Sequence, residues 1–221
     1  MTAAEIYSIT PNHFCWRVLP NGNHVKLGNY VKLGNNVMLG NGVTLDNNVM
    51  LGNGVMLGNY VKLGNYVKLG NHVTLGDNVM LGNGVTLDNN VTLGNGVMLG
   101  NNVTLGNGVK LGDNVMLGNY VKLGNHVKLG NGVTLDNHVK LGNGVTLDRS
   151  PLQIIGPRFT LYPFRPGYLG IGCTILSFND WAERGASIAA ENGQAEYLAE
   201  YTEYARIIMA WMKIHMPQPT E

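Results

Sequence analysis

Apolar residues in this chain recur on a beat of six. From Gly22 to Leu147 the phrase Gly-Asn-x-Val-x-Leu repeats twenty-one times without an insertion. Val and Leu stand two apart, so x-Val-x-Leu alternates outward and inward as a short strand does, while Gly-Asn supplies a bend. Gly reaches conformations closed to other residues and Asn enters the left-handed region readily, so the pair suits a chain that turns at fixed intervals. A two-residue corner is too short for a crossover helix. Inward aliphatic residues on every side need a coil that stacks on itself, and the pattern predicts a parallel β-helix. Three hexads per turn give triangular coils, seven of them from twenty-one hexads. At about 4.8 Å per coil the prism is roughly 30 Å long.

Both flanks break the beat. Residues 1–21 carry Ile6, Tyr7, Phe14, Trp16, Val18 and Leu19 and read as a cap over the first coil. Open coil ends expose unpaired strand edges and an apolar bore, so a solenoid needs such plugs. The repeat domain spans 22–148. Asp148-Arg149-Ser150-Pro151 stops it, and residues 149–221 form a second cap that begins β-rich. Two helices follow, near 179–191 and 194–216, the first capped by Asn179-Asp180 and ended by Asn192-Gly193. On the second, Tyr197, Tyr201, Tyr204, Ile208, Trp211 and His215 fall at alternating spacings of four and three, with Leu198, Ala205 and Met212 beside them. That seam offers one face to the solenoid and another to a neighbouring copy.

The hexad Leu27-Gly28-Asn29-Tyr30-Val31-Lys32, like those after it, resembles the hexapeptide-repeat family of left-handed β-helices, known mostly from acyltransferases. The resemblance implies the left hand and a homotrimer. The expected fold is thus mainly β, a left-handed parallel β-helix of about seven triangular coils between an N-terminal cap and a C-terminal cap of strands and two helices. A second resemblance rests on Ile171-Gly172-Cys173, Asp180-Trp181 and a helix rich in Ala, Glu and Tyr. It is to the C-terminal region of small phage and prophage proteins that carry short solenoid repeats. Those proteins imply a His near Leu176, which this chain lacks.

Composition changes the picture little. Gly is abundant, 31 of 221 residues, but its period is six rather than three, which excludes collagen, and Pro is nearly absent from the repeat. A net charge of +1 gives no basic field for long nucleic acids, and no apolar run spans a membrane. Cys15 and Cys173 form no paired motif, and with no signal peptide the thiols read as reduced in a cytoplasm, that of a bacterial or phage-infected host or of a recombinant expression host. Cys173 reads as a buried packing residue.

The outward positions vary narrowly. Between Val and Leu stand only Lys, Thr or Met, and before Val only Asn, Tyr, His or Gly. Such variation fits recent duplication or a restricted designed library. Long-lived enzymes of this fold diverge outside the core, so the uniformity argues against an old active site. His24, His72, His126 and His138 share one outward slot and read as solvent-facing strand residues, and no loop between hexads shapes an acceptor pocket. No catalytic residue, cofactor or metal is expected. His72 and His126 lie on one face but three coils apart, about 14 Å, too far to share an ion.

Two surface sets remain. Tyr60/Lys62, Tyr66/Lys68, Tyr120/Lys122 and His126/Lys128 place rings beside ammonium groups, a pairing suited to a base and its phosphate. Met80, Met98 and Met116 fall on adjacent coils as an apolar stripe, and with Tyr201, Tyr204, Ile208 and Trp211 are the expected oligomer contacts. The first functional reading is a non-enzymatic structural or scaffold solenoid, natural phage-type or engineered. The alternatives are a phage-type protein that sequesters a small anionic metabolite or signalling nucleotide at subunit grooves, and a CoA-dependent acyltransferase.

Overall fold

The computed structural model describes residues 3–12, 15–156, 158–165, 167–171 and 174–215. The hexads wind into the expected left-handed parallel β-helix, about seven turns with three flat faces. Successive strands on a face are eighteen residues apart, as in Met80 beside Met98 and Lys68 beside Thr86. The first face runs from His24–Leu27 to Thr134–Leu135, the second from Lys32–Leu33 to Lys140–Leu141, the third from Met38–Leu39 to Thr146–Leu147. Every Val and Leu of the repeat is buried except Leu33, half-covered in the first coil. Those columns are the core.

The strand proper is shorter than x-Val-x-Leu, in most hexads only the last two residues. The corner takes the rest, and its glycine and asparagine have roles other than those the sequence suggests. After the first hexad, where Gly22 has φ 82°, φ is positive at the residue before Val, from Tyr30 to Gly144, and not at the Gly or Asn that opens each corner. The opening glycine is needed for room. At Gly82 a β-carbon would lie 2.7 Å from Asn101 Oδ1 and 2.8 Å from the Gly100 carbonyl carbon, in the next coil. Contacts so short do not occur without a shift, so all but three hexads, those with Asp46, Asp88 and Asp136, keep the slot free of a side chain.

The asparagine uses that closeness. Its backbone N–H donates to the side-chain oxygen of the asparagine one coil on, as in Asn83 to Asn101 at 2.8 Å and Asn101 to Asn119 at 2.7 Å. Asp77 and Asp113 serve equally, each accepting at 2.6 Å, because the rung needs only an oxygen. Two rungs stretch to 3.2 Å, Asn47 to Asn65 and Asn89 to Asn107. Both follow an Asp in the glycine slot, Asp46 and Asp88, whose β-carbon pushes the next asparagine away.

The ends are closed. Helix α1, Ala3–Ser8, sets Ile6 over the bore with Leu19 beside it, and Tyr7 Oη donates to the Gly28 carbonyl at 2.5 Å. Val18, expected in this plug, is exposed, and Phe14 lies outside the described residues. At the far end Ser150 Oγ accepts from Thr134 N at 2.9 Å and Gln153 Oε1 from Asp136 N at 2.7 Å, which satisfies the open edge of the first face. A four-stranded antiparallel sheet follows, Ile154–Ile155, Thr160–Arg165, Tyr168–Ile171 and Thr174–Ser177, with Phe164 packed over Gly142 of the last coil.

Two helices complete the cap, α2 at Phe178–Glu191 and α3 at Leu198–His215, the latter preceded by a 3₁₀ turn at Ala195–Tyr197. The cap of α2 is Ser177, not Asn179-Asp180: its Oγ accepts from Asp180 N at 3.1 Å and bonds the Asp180 carboxylate at 2.5 Å. No helix among the described residues is long and apolar enough to cross a membrane.

Replacing Asn101 by Ala removes the acceptor for Asn83 N, and the expected cost is about 0.5–1.5 kcal/mol. Asn101→Asp keeps the oxygen and is expected to hold stability within about 0.5 kcal/mol. Urea unfolding midpoints of the two variants check the difference.

Candidate functional site

From Tyr30 on, the Tyr and His residues of the repeat occupy the left-handed corner, not a strand as the sequence pattern implies; His24 alone among the repeat's histidines begins a strand, His24–Leu27. Tyr66 has φ 62°, Tyr120 61°, Tyr60 58° and His126 59°. Asn tolerates this conformation and a β-branched residue does not, which explains why Asn, Gly, Tyr and His fill the slot while Val, Ile and Thr never do. The corner also aims each ring down the prism edge. Tyr60 lies on Gly42, His72 on Gly54 and His126 on Gly108, each on the residue one coil earlier. Tyr120 and His138 stack at 5.0 Å with planes 6° apart.

The rings therefore keep one open face. Tyr66 is 63% and Tyr120 49% exposed, and Lys62, Lys68, Lys122 and Lys128 all reach solvent on the adjoining faces. Among the described residues the cation found over a ring is Arg17, 5.4 Å from the Tyr7 centroid, in the N-terminal cap. The Tyr/Lys pairs thus lie near each other in chain and space without closing on each other. The four pairs are spread over three edges, Tyr60 before the first face, Tyr66 and Tyr120 before the second and His126 before the third, and form open rails rather than a pocket. Among the described residues no three His, Cys, Asp or Glu gather where a metal could sit.

The methionine stripe is aligned by the strand register. Met80 pairs with Met98 and Met98 with Met116, at 42%, 38% and 42% exposure. With Lys62 and Thr134 at its ends, the stripe floors a shallow groove of about 650 Å³ along the first face. The helical seam divides otherwise. Tyr201 and Ile208 are buried inside the cap, Tyr201 Oη accepting from Arg158 N at 3.0 Å and Phe159 N at 2.9 Å, so neither is free to touch another copy. Their apolar bodies are needed to hold α3 on the cap sheet. Tyr204 and Trp211 stay half-exposed. Tyr204 donates to Glu200 one turn earlier, and that bond to a carboxylate raises its phenol above the ordinary value.

Cys15 is free and exposed, whereas Cys173 lies outside the described residues. A cavity between α2, α3 and the cap sheet escaped the sequence reading, because its walls come from three elements far apart in the chain. The one local sign of it is the run of small residues Ala182, Gly185, Ala186 and Ala189 on one side of α2.

Comparison with known proteins matches residues 24–59, 54–89 and 90–125 to the bacterial transferase hexapeptide family, six repeats per match. No curated protein sequence matches the chain. Among solved structures, the acetyltransferase domain of PglB from Neisseria gonorrhoeae is similar at 16% identity and TM-score 0.42, over 51% of this chain and 54% of that one. A UDP-N-acetylglucosamine O-acyltransferase from Moraxella catarrhalis is similar at 16% identity and TM-score 0.36, over 63% and 67%. The chain spans about half the length of the first of these. None of these comparisons bears on the likeness of the cap to phage proteins.

Tyr66→Val puts a β-branched residue at a φ of 62° and is expected to cost about 1–3 kcal/mol. Tyr66→Asn suits the corner, with a change expected within about 0.5 kcal/mol. Thermal unfolding of both variants decides whether the corner conformation selects the residue.

Proposed function

We propose that the protein, whose residues 24–125 match the bacterial transferase hexapeptide family, is a structural solenoid that acts as a self-assembling scaffold, a homotrimer joined through its methionine-bearing faces. The observation that carries this is the methionine column. Three flexible apolar side chains in strict register, flanked by Lys62 and Thr134, make a continuous apolar strip on a flat sheet. Met38 and Met56 pair similarly on the third face, so two faces of one prism carry apolar strips that neighbouring copies can share. A closed ring of three copies uses two faces of each. The long axis stays straight because no hexad carries an insertion. Met80, Met98 and Met116 changed together to Thr should leave the prism folded and dissociate the trimer in sedimentation, from about 72 kDa to the 23.9 kDa protomer. A wild-type monomer, or a variant that still trimerises, sinks the reading.

Acyl transfer from CoA is the competing reading, favoured by the family, which includes acyltransferases. Against it stand the histidines. His72, His126 and His138 lie along edges on glycine or tyrosine, and no carboxylate among the described residues bonds a ring to orient it as a base. A small anionic ligand on the edge rail is the third reading, favoured by the Tyr120–His138 stack beside Lys122 and Lys140. Native mass spectrometry of protein purified from cells is expected to show a bare trimer. Retained CoA, with acetyl-CoA turnover lost in His→Ala variants, would establish the enzyme. Retained nucleotide, lost on Tyr120→Asn, would establish the rail.

A further inference from the structure

We propose that the cavity in the C-terminal cap is a binding site for an uncharged, flat aromatic molecule bearing one N–H or O–H donor. It encloses about 530 Å³ between α2, α3 and the cap sheet, and Phe159, Phe178, Trp181 and Tyr201 supply aromatic walls. The volume suits a small organic molecule. Helix α2 keeps the space open by its small residues: a β-carbon added at Gly185 meets nothing nearer than Trp181 at 3.7 Å.

The polarity of the wall is what singles out a ligand. Trp181 Nε1 donates to the Leu169 carbonyl at 2.8 Å, Thr202 Oγ1 to Leu198 at 2.7 Å, Asn192 Nδ2 to Ile188 at 2.8 Å, and Tyr201 Oη takes two backbone amides. These groups already have partners within the protein. Gln194 differs. It is 93% buried, its Nε2 holds the Asn192 carbonyl at 3.2 Å, and its Oε1 has no hydrogen-bond partner among the described residues. The amide cannot be turned over to cure this, since Oε1 would then face a carbonyl.

Local backbone geometry makes the choice of glutamine conspicuous. Gly193 at φ 65° and the bonds Gly193 N to Ala190 O at 3.0 Å and Gln194 N to Ala189 O at 2.6 Å form a Schellman turn that ends α2. The position after the turn's glycine ordinarily carries an apolar side chain that packs back on the helix. Here that place holds a polar group with an unmet acceptor, lining an apolar cavity. A buried acceptor without a donor is destabilising, and functional places are where proteins tolerate such a cost. A ligand donor entering from the cavity meets Oε1 once the Gln194 amide, held by one long bond, turns toward it. Charge is disfavoured because the walls are mostly apolar, and Arg206, the charged residue among them, pairs with Glu203 at 3.3 Å on the exposed surface.

Indole and 1-methylindole, which differ by the single donor, are the probes, titrated calorimetrically into the full chain. Indole should bind about tenfold more tightly, the worth of one neutral hydrogen bond. Gln194→Met should bring the two probes to equal affinity. Gly185→Leu should fill the space and abolish both, with the thermal midpoint held. Equal affinities in the wild type, discrimination that survives Gln194→Met, or no binding of either probe at millimolar concentration overturns the proposal.

Discussion

One close approach sets the geometry of the prism: the bare glycine that opens all but three hexads against the asparagine or aspartate of the next coil. The backbones come so near that a methyl would overlap at Gly82, and the asparagine oxygen then reaches the N–H above it. Three ladders of these rungs run along the three edges and hold every coil at the same height and angle. The stretched rungs behind Asp46 and Asp88 show the constraint from the other side, since one added β-carbon lengthens the bond to 3.2 Å. The Val and Leu columns supply the driving force. They are non-directional and do not by themselves fix the register.

Register is what gives the surface any pattern. Met80, Met98 and Met116 make a continuous strip only because coils advance by eighteen residues without slip. The Tyr120–His138 stack has the same origin: both sit in left-handed corners one coil apart, and equal corner geometry brings their planes to 6°. A shift of one residue anywhere would rotate the faces and scatter both features. Absence of insertions is thus a condition of the surface as well as of the core.

Much of this was legible in the sequence, and the limits have physical reasons. The Val–Leu period gave the coil, its three sides and the alignment of the methionines, since a strict repeat leaves one way to bury both columns. Which corner residue takes positive φ was not legible, because Gly and Asn favour that conformation wherever they stand, and steric fit between coils decided the matter. Tyr66 and His126 accordingly sit at an edge instead of a strand. The seam on α3 was correctly periodic, yet periodicity cannot say what covers a face, and the cap sheet took Tyr201 and Ile208 for itself. Helix capping went to Ser177 because a serine hydroxyl three residues before Asp180 completes a reciprocal box. Gln194 carried no signal at all, being defined by the absence of a partner.

The two parts of the chain also differ in what they can recognise. A flat sheet whose outward residues repeat presents area without concavity, and flat area suits another flat surface far better than a small molecule, which needs most of its own surface covered. The proposed self-association of the faces rests on that difference. The C-terminal cap is the reverse: irregular, antiparallel and helical, it meets no translational constraint, so its elements can stand apart and enclose a volume. Uniformity along the rod and a hollow at its end follow from one fact, that the glycine–asparagine contact governs residues 22–147 and stops there.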